Sequence, residues 1–252
     1  MELEKTYLIS YPKSGRTWLR LLIAKYLAMS VLDGDDNLEN LTLLCQQTGI
    51  KSIQLSHAEA DLRKPGIRSE SESQKYFQGT RVLFVSRNIE DILVSAFYQA
   101  KYRLRQYDGE FGDFLRSEVL GASRALKYYQ MWSKLYTGCS AFHLVRYEQL
   151  HENSQQVLTD ALIFLGIAKP CEESVHRAVK FCRFTSLQTL ERNGFFSTVP
   201  LQARDSSRLE TFKFRRGIIG DYLCHFTKDD SQYLTSLLVD TSSDLLTSAL
   251  QS

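Results

Sequence analysis

Residues 6–18 read T-Y-L-I-S-Y-P-K-S-G-R-T-W, in which a strand pattern passes through a short loop into a helix pattern. Thr6 to Ser10 are apolar and β-favouring, and a helical run extends from Thr17 to about Met29. A loop in this position directs several backbone N–H groups and the positive end of the helix dipole at one point, where Lys13 adds a mobile charge. The segment therefore predicts a strand, an anion-binding loop and a helix.

The same loop has an alternative interpretation, a tight strand-to-helix turn with Thr17 near the N-cap and no ligand. The Walker pattern G-x-x-x-x-G-K-[ST] is absent because Lys13 precedes Gly15. An ordinary ATP-binding loop is therefore not supported.

Two later segments repeat the change from strand to helix. The almost continuous apolar run from Arg81 to Val85 is typical of a buried parallel strand, and a helical pattern from Ile89 to Arg103 follows it. A third candidate strand, Ala141 to Val145, lies between helical segments near Arg124 to Leu135 and Ser154 to Leu165. The alternation predicts an α/β fold, a single domain over residues 1–252 with a central parallel sheet flanked by helices and a P-loop-like nucleotide-binding architecture.

Composition and charge limit the class of partner. Lys and Arg number 31 against 29 Asp and Glu, a net charge of +2, which lacks the excess typical of proteins that bind nucleic acid or anionic membranes. The longest apolar segment, Leu19 to Leu32, contains Arg20 and Lys25 and is shorter than the roughly 20 apolar residues of a membrane span. The five cysteines lack a C-x-x-C pair, which predicts reduced, buried thiols and no metal site. With no visible signal peptide, we expect a cytoplasmic protein without a nucleic-acid or membrane partner.

A second candidate site is Arg87-Asn88-x-x-Asp91-x-x-x-Ser95, at the carboxyl end of the second strand. Arg87 and Ser95 could bind one anion together, since ligands of open α/β sheets lie outside the carboxyl ends of the strands. The alternative is helix-end chemistry, with Asn88 as N-cap and Asp91 in the first turn.

A third candidate is the segment that begins Arg215-Arg216-Gly217 and continues to Gly220-Asp221-Tyr222. Its arginines and paired glycines allow a loop to close over a charged ligand with the backbone near a phosphate. A solvated basic turn is the alternative.

Taken together and in this order, Y-P-K-S-G-x-T-W, R-N-x-x-D-x-x-V-S and R-[RK]-G-x-x-G-D-[WY] resemble the cofactor motifs of the soluble sulfotransferases. The resemblance extends from Tyr7 to about Leu238 and includes Arg146-Tyr147-Glu148. It implies binding of 3′-phosphoadenosine 5′-phosphosulfate (PAPS) and transfer of its sulfuryl group to an acceptor hydroxyl or amine. The product nucleotide would be adenosine 3′,5′-bisphosphate (PAP), and no metal would be required.

The resemblance also implies roles for individual residues. Residues near the 5′-phosphosulfate would be Lys13, Ser14, Gly15, Arg16 and Thr17, with Lys13 near the bridging oxygen as a catalytic group. Trp18 would lie against the adenine, in a pocket that includes Tyr147 and Thr185. Ligands of the 3′-phosphate would be Arg87, Ser95, Arg215, Arg216 and Gly217.

The sequence departs from the family pattern at several positions. Leu187 stands where the usual Thr-Ser-Phe has its aromatic residue, which puts the second aromatic wall of the adenine pocket in question. Arg16 replaces a more common Thr and either adds a donor to the phosphosulfate or points into solvent. Tyr222 stands where Trp is usual.

A general base must accept the proton of the acceptor as it attacks sulfur. His57 follows Leu55-Ser56 in the region where the family has its catalytic His, so the resemblance implies His57 as the base, with Glu59 as the fallback. The accessory Lys of the family is Leu55 here, and Arg16 could supply the missing charge. The expected reaction is in-line transfer, with Lys13 and the loop amides stabilising the leaving oxygen.

The acceptor is a small molecule whose pocket would be formed by loops, among them residues 32–44, 56–64, 97–107 and 193–208. The loop residues Asp33, Asp35, Asp36 and Glu39 are acidic, and Phe97, Tyr98, Tyr102 and Tyr107 are aromatic. Such a rim suggests a polar or cationic acceptor, for instance a guanidinium alkaloid. The alternative is an exposed acidic loop beside tyrosines packed in the core. Two other function classes stay open, an ATP-dependent small-molecule kinase and a noncatalytic nucleotide-binding module.

Overall fold

Four parallel strands form the centre of the described chain, which in this computed structural model comprises residues 5–31, 38–58, 60–63 and 69–238. The strands are β1 (Thr6–Ser10), β2 (Ile53–Ser56), β3 (Arg81–Ser86) and β4 (Ala141–Arg146). They lie in the order β2-β1-β3-β4 and every neighbouring pair is parallel. The predicted α/β fold with a central parallel sheet is confirmed.

The register aligns the carboxyl ends of all four strands. Ile9 of β1 pairs with Ser56 of β2 and Phe84 of β3, and Ser86 of β3 pairs with Arg146 of β4. The residues that follow these strands therefore emerge at one edge of the sheet, where open α/β sheets bind ligands.

Helices cover both faces of the sheet because successive strand residues point in opposite directions. Leu8 packs in a buried cluster with α1 (Arg16–Val31), α2 (Leu41–Thr48), α8 (Ser154–Phe164) and α9 (Glu172–Phe181). Its neighbour Ile9 packs on the other side, in a cluster with α3 (Glu70–Phe77), α4 (Ile89–Tyr98), α6 (Ala122–Leu135) and α11 (Lys228–Leu238). The remaining helices are α5 (Phe111–Arg116), α7 (Tyr147–Glu152) and α10 (Phe184–Arg192).

Some sequence-based boundaries were wrong. The predicted helix from Ile89 to Arg103 ends as α4 at Tyr98 and continues as a π-helical segment, Gln99–Leu104. Helix α3 lies in a region of mostly polar side chains and was not predicted from the sequence. It begins at a capping box in which Ser69 and Glu72 bind each other's backbone N–H groups.

Three general features concern metals, membranes and thiols. No helix in the described ranges is long and apolar enough to cross a membrane, and no group of three or more His, Cys, Asp or Glu there could hold a metal ion. None of the five cysteines, all of which lie in the described ranges, forms a disulfide. Cys171 and Cys224 are exposed, so the prediction that the thiols are buried was wrong for these two.

Candidate active site

The loop between β1 and α1 has the conformation of an anion-binding loop. Lys13 and Gly15 both have positive φ, +74° and +94°. A side chain at position 15 would collide with the Tyr147 ring, so only glycine fits there. The N–H groups of Gly15, Arg16 and Thr17 donate no hydrogen bond to the described part of the chain, which makes them available to a ligand.

Lys13 lies in a strongly positive environment. Its Nζ donates to Gln99 Oε1 at 3.2 Å. Burial, followed by the charges of Lys213, Arg103 and Arg215, lowers the pKa of Lys13 well below its usual value. A bound anion would relieve this repulsion. Ser14, in contrast, is fully buried and its hydroxyl approaches the Tyr129 hydroxyl at 3.5 Å.

Arg87 follows β3 and is held by several contacts. Its Nη1 donates to the Lys13 carbonyl and its Nη2 to the Ile218 carbonyl, both at 3.3 Å, and the guanidinium lies 4.2 Å from the centre of the Tyr147 ring. Its buried Nε has no partner in the described chain. Arg87 therefore joins the loop after β1 to the basic loop near residue 218 and keeps a donor available.

Asp91 connects α4 to that basic loop. Its Oδ2 accepts from the Gly220 N–H at 2.9 Å and its Oδ1 from the Tyr222 N–H at 3.1 Å. Asn88 caps the same helix by accepting from the Asp91 N–H at 3.0 Å. The helix-end interpretation of Asn88 is thus right, and Asp91 in addition holds the basic loop.

Within the loop, Asp221 pairs with both arginines. Its Oδ2 lies 2.5 Å from Arg215 Nη2 and its Oδ1 lies 2.7 Å from Arg216 Nη1. One carboxylate thus faces two guanidinium groups, so the three side chains together keep a net positive charge.

Aromatic side chains pack next to the basic loop. Trp18 is almost fully buried, and its Nε1 donates to the Cys182 carbonyl at 2.7 Å. The ring of Phe184 lies 5.9 Å from it, centre to centre, nearly perpendicular. Gly217 has φ +63°, and a Cβ there would lie 2.6 Å from Phe184. Leu187 is buried in the core, and Phe184 is the aromatic residue of α10 that lines the cavity described next.

The cavity bounded by these residues has a volume of about 700 Å³, part of it open to solvent. It brings together most of the residues predicted for the site: Lys13, Gly15, Arg16, Thr17, Trp18, His57, Arg87, Ser95, Tyr147, Arg215, Arg216 and Gly217. Ser14 and Thr185 are not among its lining residues, and Thr185 is exposed on α10. Three further lining residues were not predicted from the sequence, Phe184, Lys213 and Phe214.

His57 follows β2 and has both ring nitrogens engaged. Its Nδ1 lies 2.8 Å from the Ser10 carbonyl oxygen, which can only accept, so Nδ1 carries the proton. Nε2 therefore has the lone pair and accepts from Arg16 Nη2 at 2.8 Å. Burial, followed by the charge of Arg16, lowers the pKa of His57 well below its usual value. The ring is neutral at pH 7 and chemically able to accept a proton at Nε2.

A second cavity, of about 1110 Å³ and also partly open, adjoins the first. Both cavities are lined by Lys13, Arg16, Thr17, His57 and Lys213. Among the residues predicted to form the acceptor rim, Phe97, Tyr98, Tyr102 and Tyr107 do not line it. The acidic residues Asp33, Asp35 and Asp36 and the fallback base Glu59 lie outside the described residues.

Lys213 is held at the junction of the cavities by a buried carboxylate. Glu191 accepts from the N–H groups of Lys213 and Phe214, at 2.6 and 2.8 Å, and pairs with Arg103. Burial and the neighbouring cations Arg103, Arg16 and Arg20 lower the pKa of Lys213 to about 7. In the sequence, the only feature that could have pointed to Lys213 as a site residue was its position just before Arg215 and Arg216.

Comparison with known proteins gives the chain a family. Residues 3–244 match the family model described as sulfotransferase domain. The chain is 24 % identical over 245 residues to Cytosolic sulfotransferase 7 of Arabidopsis thaliana, covering 87 % of this chain and 73 % of the relative. It is 25 % identical over 244 residues to Sulfotransferase 2B1 of Mus musculus, with 92 % and 69 % covered.

A solved structure described as mouse sulfotransferase SULT7A1 complexed with PAP has the same fold. Its TM-score is 0.63 at 17 % identity, covering 94 % of this chain and 84 % of that one. Since the family model matches nearly the whole sequence, the chain belongs to the sulfotransferase domain family.

Proposed function

We propose that this protein transfers the sulfuryl group of PAPS to a hydroxyl or amine of a small-molecule acceptor, with His57 as general base. The observation that carries the proposal is the meeting of two cavities at His57 and Lys13. One cavity has the donors and aromatic walls that a nucleotide needs, and the other has room for an acceptor. The names of the relatives, which are sulfotransferases, agree with this reaction.

The first cavity fits an anionic nucleotide by its donor set. The buried Nε of Arg87 and Nη1 of Arg16 have no partner in the described chain, and the amides at the start of α1 are also available. Burying donors without acceptors is costly, so an anion would stabilise them. We infer that residues 13–17 hold the 5′-phosphosulfate.

The remaining contacts of the nucleotide follow from the same cavity. We infer that Arg87, Ser95 and residues 215–217 hold the 3′-phosphate. The adenine would lie among Trp18, Phe184 and Tyr147.

The reaction moves one sulfuryl group and one proton. PAPS supplies the sulfuryl group and leaves as PAP. A bond forms between the acceptor atom and sulfur while the bond from sulfur to the bridging oxygen breaks, and the electron pair of that bond stays with PAP. His57 Nε2 takes the acceptor proton, and the ammonium of Lys13 stabilises the charge on the departing oxygen.

Arg16 has to release His57 before this proton transfer. Its guanidinium donates to Nε2 and also lines the cavity of the nucleotide. We infer that the phosphosulfate draws Arg16 away and exposes the lone pair of the base. This would give a role to an arginine that stands where the family more often has Thr.

A thermal shift experiment with PAP, AMP and ATP plus magnesium tests the nucleotide. A ligand at about 100 times its dissociation constant adds roughly 2.7 kcal/mol, which at this length raises Tm by about 5–11 °C. We expect this rise with PAP and much less with the other two. A rise with ATP instead would favour the kinase, and no rise with any nucleotide would refute the proposal.

A second experiment tests the base. His57→Ala should lower turnover of PAPS with simple phenols about 10²- to 10⁴-fold while PAP still binds. His176→Ala, which removes an exposed His on α9, is the control and should keep full activity. Full turnover by His57→Ala would contradict the assignment, and PAP binding without any turnover in the wild type would favour a noncatalytic module.

We also infer a cytosolic location, because relatives such as Cytosolic sulfotransferase 7 are so named. Immunofluorescence of the tagged protein in its own cells tests this.

A further inference from the structure

The second cavity continues away from His57 into a third. The third has about 900 Å³ of partly open space, and the two are both lined by Arg63, Gln99, Leu104, Pro200 and Lys213. An acceptor that places its nucleophilic atom at His57 would therefore extend along this path.

The charged residues among the described lining of this path are mainly positive. Arg20 lines the second cavity and Arg204 lines the third, while Arg63 and Lys213 line both. Among the described lining residues Asp61 is the one carboxylate, and its Oδ1 accepts from the Arg63 backbone N–H at 2.9 Å.

In the described chain these four cations have only longer-range compensation, from Glu39 for Arg20 and from Glu191 for Lys213. Within the described chain, no carboxylate lies within 4.0 Å of the charged nitrogens of Arg20, Arg63, Arg204 or Lys213. Arg103, which also lines the third cavity, differs because it pairs with Glu191 at 3.4 Å. Clustered like charges repel one another, and a ligand of opposite charge is the means to stabilise them.

The nucleotide does not account for three of the four. Arg20, Arg63 and Arg204 are absent from the lining of the first cavity, where Arg87, Arg215 and Arg216 line the part proposed for the phosphates. Lys213 lies at the junction, where burial and then the neighbouring cations lower its pKa, and a bound anion would raise that pKa again.

We propose, building on the proposed function, that the acceptor is itself an anion, with a carboxylate, phosphate or sulfate group that binds Arg20, Arg63 and Lys213. Its hydroxyl or amine then lies at His57 while its charged group lies further along the path. This assigns the substrate class opposite to the cationic acceptor suggested by the sequence. The described charges around the path repel a guanidinium or ammonium group.

Binding to the PAP-saturated protein tests the acceptor class without depending on turnover. The probes are phenols of similar size: neutral 4-ethylphenol, cationic tyramine, anionic 3-(4-hydroxyphenyl)propionate and 4-hydroxybenzylphosphonate. Calorimetry at low ionic strength should give affinities for one or both anions about tenfold or more above those for the other two. The carboxylate and phosphonate arms distinguish the two kinds of anionic group, and raised salt should reduce the preference.

Charge variants locate the binding residues. Arg20→Gln and Arg63→Gln should each weaken binding of the anionic probes several-fold, and Arg63→Glu should shift the preference towards tyramine. Arg177→Gln is the matched control, since Arg177 is exposed on α9, lines none of the three cavities and should leave every affinity unchanged.

The outcomes separate this inference from the function on which it rests. If 4-ethylphenol or tyramine binds as tightly as the anions, or if no phenol binds, the inference is overturned. Turnover of PAPS with 4-ethylphenol would in that case leave the sulfotransferase function standing. Failure of the protein to bind PAP at all would overturn both.

Discussion

Gly217→Ala is a sharp test of the contact between the basic loop and the aromatic end of the nucleotide cavity. Gly217 has φ +63°, and a methyl group there would lie 2.6 Å from atoms of the Phe184 ring. Either the ring or the loop must move. The substitution therefore displaces a wall of the proposed adenine pocket or the arginines beside it.

The size of the effect follows from two separate contributions. The left-handed backbone costs a non-glycine residue about 1–2 kcal/mol, which should lower Tm by about 2–8 °C. Loss of one aromatic stacking partner of a base costs about 1–3 kcal/mol, or about 5- to 150-fold in the Kd of PAP. The first contribution lowers the stability of the fold, and the second lowers the affinity for PAP.

Gly194→Ala separates the two contributions. Gly194 has φ +70°, but nothing lies within 4 Å of a Cβ built there. Both variants should lose similar stability, measured by thermal unfolding, and only Gly217→Ala should lose PAP affinity, measured by calorimetry. In a Phe184→Leu background the added effect of Gly217→Ala on affinity should largely vanish. Equal PAP affinity in Gly217→Ala and wild type would refute the assignment of Phe184 to the adenine pocket.

Three further predictions concern charged groups. Arg16→Gln removes a cation that lowers the pKa of His57, so the base protonates at higher pH. The acid limb of the plot of kcat/KM against pH should therefore move to higher pH, and an unmoved limb would contradict the assigned base. Glu191→Gln leaves buried Arg103 uncompensated at a cost of about 3–5 kcal/mol, so Tm should fall by about 6–20 °C; an unchanged Tm would show that the pair contributes nothing. Asp91→Ala removes two acceptors of loop N–H groups, each worth about 1.5–3 kcal/mol, and should weaken PAP binding at least tenfold in calorimetry; unchanged affinity would mean that the loop is held by other contacts.

The sequence was most informative where a candidate site residue follows a clearly apolar strand. Lys13 and Arg87 come after apolar runs with a clear strand pattern, and in a parallel sheet the ends of such strands share one edge. At these two positions the sequence motif and the sheet topology indicate the same site. His57 was harder, because the short strand β2 before it is half exposed and gives little apolar pattern.

The residues that the sequence did not reveal come from long-range folding. Phe184 and Lys213 reach the site because α10 and the segment after it return to the sheet edge, which no local pattern predicts. The contact between Arg16 and His57 spans 41 residues and depends on the register of β1 with β2. By contrast, α3 was not predicted although its capping box, Ser69 with Glu72, is visible in the sequence.

The bond between Asp91 and Gly220 joins residues 129 positions apart, which has a consequence for how the protein is made. All four strands are complete by Arg146, so a growing polypeptide contains the whole sheet well before its arginine loop has left the ribosome. Contacts of such separation close slowly, since a long segment must first lose its freedom. The loop with Arg215 and Arg216 is therefore completed late, and a chain that stops before it contains all four described strands but lacks the arginines that we propose for the 3′-phosphate.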